Sequence, residues 1–220
     1  WMLKKALPIF LLVVVATACS SASTEPAGHE NPERAVVSLF EAIDSGNAVG
    51  ASVSVNEDSL ALILGIENGL DAAAMASYLE DGVPLDLQAA YWASFAEGFV
   101  EFASRPISTL TVGESNHFTS EGIEFAGVSV TGGNGGESVV IARAVEDGSW
   151  EVDLVASLGD GFVQLLSREY DALPHDEAGD RIRTAYKEIV VPSLWAAMSE
   201  GSYGDDFTRV ALALIERVGG

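Results

Sequence analysis

The stretch Glu137 to Ala156, ESVVIARAVEDGSWEVDLVA, constrains the fold more than any other part of the chain. Val139, Ile141, Arg143 and Val145 share one parity, as do Trp150, Val152, Leu154 and Ala156. Successive side chains of a strand point to opposite faces, so each set lines one face of a strand. Between them, Glu146-Asp147-Gly148-Ser149 supplies an Asp-Gly pair suited to the positive φ of a tight hairpin. The expected result is an antiparallel sheet. Asp153 has the opposite parity to Trp150 and Val152, so it faces solvent if those two face the core.

Upstream, His117 to Thr131 contains a strand with Ile123 and Phe125 on one parity and Val128 and Val130 on the other. That switch at Ala126-Gly127 predicts a bulge. Ile107 to Val112 reads as the first strand. Gly132 to Gly136 holds four Gly, but neither P-loop spacing nor a following helix accompanies them, so it reads as a hairpin connection.

Helices flank this sheet on both sides in the sequence. Asn31-Pro32-Glu33 is a helix start, with Asn as N-cap and Pro at the first helical position. Val36, Phe40 and Ile43 then repeat at helical spacing until Ser45-Gly46. Ser54 with Glu57 has capping-box spacing before Leu60 to Ile66. Asp71 to Leu79 is Ala-rich. Asp86 to Ser104 carries an aromatic stripe of Tyr91, Trp92, Phe95, Phe99 and Phe102. Such a stripe walls a ligand pocket or, more commonly, packs against a sheet. After Ala156, Phe162 to Tyr170 is helical. Asp176 to about Glu200 follows with a kink expected before Pro192, and then Asp205 caps Phe207 to Val218.

The N-terminus reads as an address. Trp1 does not initiate translation, so Met2 is the expected start. Lys4 and Lys5 precede the apolar run Ala6 to Val15, which is shorter than the roughly 20 residues a spanning helix needs. The chain has one Cys, Cys19, placed just after Ala16-Thr17-Ala18 and before the polar Ser20-Ser21-Ala22-Ser23-Thr24. This arrangement resembles a bacterial lipoprotein signal, in which the Cys becomes the lipidated first residue of the mature protein. The expected organisation is a signal peptide over 1–18, an anchored linker over 19–30, an α+β domain over 31–157 and a helical extension over 158–220. Export and attachment to the bacterial membrane through Cys19 follow from that resemblance. With that Cys lipidated, no disulfide staples the fold.

Within residues 31–156, the opening NPERAVVSLFEAIDSGN and the strand ending VEDGSWEVD resemble the nuclear transport factor 2-like superfamily, the cystatin-like cone folds. The resemblance implies amphipathic helices packed on a bent antiparallel sheet of about four strands. It also implies the activities found on that fold, among them isomerases, dehydratases and cyclases, which use an Asp or His base with Tyr or Asp donors. No family motif transfers residue by residue. By type alone the candidates are Asp153 and His117, with Tyr91 as donor.

Three compositional facts exclude functions. Net charge is −22 and the eleven Lys and Arg are scattered, so no basic face exists to hold nucleic acid. His175-Asp176-Glu177 with Asp180 is the only compact set of possible metal ligands, and acidic residues at that position equally make a helix start. There is no Gly-x-Ser-x-Gly. No catalytic set, cofactor or metal is expected. The expected function is a non-catalytic envelope module that binds a small apolar ligand or a protein, with Tyr91, Trp92, Phe95 and Phe99 as candidate contacts. The alternatives are a cone-fold enzyme and a structural assembly partner. The last predicts an exposed stripe of Phe207, Val210 and Leu214 on the final helix.

Overall fold

A computed structural model describes residues 28–132 and 135–219. It is α+β, with a four-stranded antiparallel sheet among the described residues. Five helices precede the sheet: α1 (Pro32–Asp44), α2 (Ala48–Ser52), α3 (Glu57–Glu67), α4 (Ala72–Asp81) and α5 (Leu85–Ala103). The strands β1 (Thr111–Ser120), β2 (Ile123–Thr131), β3 (Glu137–Ala144) and β4 (Trp150–Val152) lie in sequence order. Then come α6 (Leu154–Ser157), α7 (Asp160–Ala172), α8 (Glu177–Ala185), α9 (Val191–Glu200) and α10 (Asp205–Gly219).

The helix punctuation is mostly local chemistry. Asn31 Oδ1 accepts from Arg34 N at 2.8 Å and caps α1. Asp71 caps α4, and Gly82 at φ 81° ends it. Two starts differ from expectation. Asn56, not Ser54, caps α3, accepting from Ser59 N at 3.0 Å. Ser54 turns inward instead, donating to Gly50 O at 2.9 Å and meeting His29 Nε2 at 2.9 Å. Asp205 is already the first residue of α10 rather than its cap. The kink before Pro192 is a π-helical turn, Tyr186–Val190, joining α8 to α9. Pro192 has no N–H to continue the ladder, which is why the register slips there.

The sheet is covered on both faces, and this explains most departures from the strand pattern. Ala126, Val128, Val130, Ala142 and Val152 pack with α1 and its neighbours. Phe125 and Ile141 pack with α7, α8, α9 and α10. The parity switch in β2 is therefore two-sided burial, with Ala126↔Ala142 and Gly127↔Ile141 in regular register. The bulge lies elsewhere, in β1 between Val112 and Ser115. Ile107–Thr109 is a 3-10 turn, so the first strand starts later than expected, and His117 lies within it. Beyond Val152 the expected strand gives way to α6, because Asp153 caps a helix.

The C-terminal helices thus lie over the sheet. Phe207 and Leu214 are buried among them, so the exposed stripe expected on the last helix does not exist. The assembly reading loses its warrant with it.

Helix α3 links the two cores. Leu60, Ala61 and Leu64 join the N-terminal cluster, whereas Leu62 and Ile66 join the C-terminal one. A helix apolar on every side is a buried helix, and α3 is one.

The start of α8 shows how tight the second layer is. A Cβ on Gly179 would collide with the carbonyl of Pro174, which Arg183 Nη1 also contacts at 3.0 Å. Gly179→Ala is expected to lower stability by about 1–3 kcal/mol in urea denaturation, because rigid backbone must shift.

Candidate functional site

The aromatic helix is the first place to look. Pro84 precedes α5, Asp86 sits in its first turn, and Ser104 ends it in the left-handed region at φ 56°. Trp92 is buried, its Nε1 donating to Ser52 Oγ at 3.4 Å, while Ser52 in turn bonds Gln88. Tyr91 meets Trp92 edge-on at 4.8 Å between ring centroids, and Phe95 does so at 6.1 Å. Burial, aided by the Glu67 carboxylate, pushes the Tyr91 hydroxyl above its ordinary range. It is a poor proton donor there.

The helix packs chiefly on α1, α2, α3 and the Ile107–Thr109 turn. Of its stripe only Trp92 is buried core, and the helix packs mainly on other helices rather than against the sheet as expected. Phe99 is half-buried, Phe95 is 37% exposed and Phe102 is 90% exposed. Leu85 and Val100 are exposed on the same helix, as are Val49 on α2 and Val53 at its C-cap. Among the described residues, six of the seven large exposed hydrophobic residues therefore lie on α5, on α2 or at the α2 C-cap. The seventh, Leu212, is alone on α10. Of the six, Phe95 and Phe102 share one side of α5, seven residues apart, and Val100 turns to another, so the Phe95–Phe102 side is the candidate contact surface.

The remaining candidates do not converge. Asp153 was expected at the surface and is fully buried, because its face of the sheet lies under α9. Its Oδ1 accepts from Ala156 N at 2.9 Å, capping α6, and its Oδ2 meets Ser193 Oγ at 2.7 Å. Burial pushes its carboxyl up, opposed by the Arg143 charge, the Ala156 and Val155 backbone N–H groups and the Ser193 hydroxyl. The group serves structure from beneath a lid of helices.

His117 is exposed on β1. Its Nδ1 lies 3.2 Å from Glu124 Oε1 and its Nε2 3.3 Å from Ser115 Oγ. This acid–His–Ser chain has the connectivity of a hydrolase triad. The Ser115 hydroxyl, however, lies 2.5 Å from Glu33 Oε1, which also accepts the Ser115 N–H at 3.1 Å. The Ser115 bonds hold the Glu33 carboxyl below its usual range. A nucleophile tied to a carboxylate on a solvent-exposed strand cannot pass its proton to His117. The chain instead fastens the bulge of β1 to the first turn of α1.

The acidic cluster near Pro174 is a helix start. Asp176 accepts from Gly179 N at 2.9 Å, Asp180 pairs with Arg183 at 3.0 Å and Glu177 with Arg181 at 3.7 Å. Among the described residues, no group of His, Cys, Asp and Glu could hold a metal ion.

One feature escaped the sequence. Arg143 on β3 lies 6.0 Å from the Phe125 ring centroid, and its Nε and Nη1 are buried with no hydrogen-bond partner among the described residues. Burial raises the carboxyls of Asp58 and Glu151, and the Arg143 charge draws both back down. Arg143 and Glu151 face each other across the strands beside a cleft of about 750 Å³ walled by Asn56, Glu124 and Glu146. The strand parity placed Arg143 with Val139 and Ile141 on one face, and nothing local distinguishes an arginine half-buried on that face.

Cys19 lies outside the described residues. No helix among the described residues is long and apolar enough to cross a membrane. Compared with known proteins, the chain matches no family model, no curated protein and no solved structure.

Proposed function

We propose that the chain is an exported, lipid-anchored envelope protein acting as a non-catalytic binding module, and that the face it offers is the aromatic row of α5. One observation carries this reading: beyond the half-buried Phe99 the row ends at a Phe102 that is 90% exposed. A pocket for a small apolar ligand buries most of the ligand between walls. Phe102 has no such walls, so the geometry favours a protein partner over a small ligand. A cone-type enzyme needs a base and a donor converging on one space. Asp153 lies under α9, His117 on the exposed side of β1 and Tyr91 on α5, which disfavours that reading.

The anchor rests on the lipoprotein-like run that ends at Cys19. Its test is labelling of the full chain with radioactive palmitate in a bacterial host. Label in the wild type that vanishes in Cys19→Ser is the expected result, and an unlabelled wild type rejects the anchor. The docking face is tested in the same membranes with a photo-cross-linking residue at Phe102. A discrete protein adduct is expected there and not at exposed Gly122, far along the chain. Equal labelling at both positions, or none at either, removes α5 as the contact.

A further inference from the structure

We propose a second binding site, independent of the α5 face: the cleft beside Arg143 and Glu151 holds a zwitterionic α-amino acid with a basic side chain, its carboxylate on Arg143 and its ammonium on Glu151. Nε and Nη1 of Arg143 are sealed from solvent with no hydrogen-bond partner among the described residues, and none of the ion pairs there includes it. The carboxylates that feel its charge, Asp58, Glu151 and Asp153, stand off without bonding it, and Asp153 is committed to Ala156 N and Ser193. Nη2 is the one guanidinium nitrogen not sealed, and Arg143 lines the cleft. A carboxylate arriving there meets a cation already stripped of water on its other two nitrogens, where a charge-assisted bond is strong.

Glu151 supplies the opposite charge. It is only 8% exposed, and its one bond is long, 3.5 Å from Asn56 Nδ2 to Oε2. Its Oε1 has no partner among the described residues and is not sealed, so it opens on the same cleft. Arg143 and Glu151 face each other in the β3–β4 register. Cβ atoms of such facing residues stand about 5 Å apart, so cation and anion form a close pair that complements the two charges on the α-carbon of an amino acid. The rest of the cleft selects the side chain. Its volume of about 750 Å³ falls within the roughly 300–1,000 Å³ of small-molecule sites. Glu124, Glu146 and Asp147 also line it, so a phosphate or a dicarboxylate would meet four acids for one Arg. His117 engages Glu124 and Ser149 engages Asp147, which leaves Glu146 for a cation at the end of the ligand. Ile123 and Val145 wall the path of an aliphatic stem.

The test is isothermal titration calorimetry of the full chain in detergent at physiological salt, with free L-lysine as the first probe. L-Lysine is expected to bind. Lysine amide and Nα-acetyl-lysine each lack one half of the zwitterion and are expected to bind about tenfold or more weakly. L-Norleucine, which keeps the zwitterion and loses the terminal cation, is expected in between, and L-glutamate is expected not to bind. Arg143→Met and Glu151→Gln are each expected to abolish lysine binding, with thermal melting to confirm that the variants fold. The four wild-type comparisons decide the matter without them if they do not. If Arg143 and Glu151 instead close on one another in solution, no lysine heat appears at millimolar concentration, and the proposal falls. Equal binding of lysine amide, of Nα-acetyl-lysine or of glutamate, or undiminished binding by a folded variant, would overturn it as well.

Discussion

Asp153→Ala is expected to destabilise the protein by about 2–4 kcal/mol, whereas Asp153→Asn changes stability at neutral pH by less than about 1 kcal/mol. The alanine removes a helix cap and leaves Ala156 N and Ser193 facing a void. The tolerance of asparagine turns on one proton. Ser193 Oγ lies 2.7 Å from both Asp153 Oδ2 and Ile189 O, yet it has a single hydrogen to give. If that hydrogen goes to Ile189 O, the second contact is satisfied only when Oδ2 itself carries a proton and donates. A neutral Asp153 meets both contacts, and Asn reproduces its pattern with an N–H in place of the O–H.

The pH dependence has a definite sign. Burial raises the folded pKa of Asp153 above that of an ordinary carboxylate. The folded state then holds its proton more tightly than the unfolded chain. Stability from this group is full below the unfolded pKa and is lost as pH rises through the folded one. Asp153→Asn cannot titrate. Its stability relative to wild type should therefore improve as pH rises through the raised value, and the advantage should shrink towards pH 4. Urea denaturation of both proteins across that range measures it. A constant difference would show that Asp153 does not titrate there.

Leu62→Ala is the second large effect, about 3–5 kcal/mol. Leu62 is fully buried in the C-terminal core, while its neighbours Ala61 and Leu64 lie in the N-terminal one. The cavity opened by Leu62→Ala sits on the helix that both cores share. Thermal melting followed by near-ultraviolet circular dichroism should show one transition, shifted down as a whole, with Trp92 of the N-terminal core and Tyr186 of the C-terminal core reporting together. Two separated transitions would mean that the halves unfold independently.

The sequence pattern was legible wherever a single residue type dictates local geometry. Asn31, Asp71 and Asp176 cap their helices, Gly148 takes φ 83° in the hairpin turn, and Pro192 perturbs the helix before it. What failed shares one cause. Alternation in a strand says which residues share a face, but not whether that face is wet. Asp153 was assigned to water by parity, yet it is buried against Ser193 of α9. The same cover turned an apparent bulge at Ala126-Gly127 into ordinary two-sided burial. The site was legible in part. Spacing gave the aromatic row of α5, but only the length of its supporting neighbours decides where the row emerges from the core. Arg143 was invisible, since a guanidinium without partners is a property of its surroundings.

The first described residues join the fold in a way with a mechanical consequence. His29 and Trp150 exchange two backbone hydrogen bonds, at 2.8 and 2.7 Å, on the outer edge of β4. Val152 on the same edge is held separately by Ser54 and Asn56. Tension transmitted along the chain from before Gly28 arrives first at the His29–Trp150 bridge and the His29–Ser54 contact. An isolated bridge opens one bond after another, at low force, while strands pulled in shear must break several at once. The bridge therefore acts as a fuse: under load it parts and frees a few residues of chain, leaving Val152 clamped and the sheet intact.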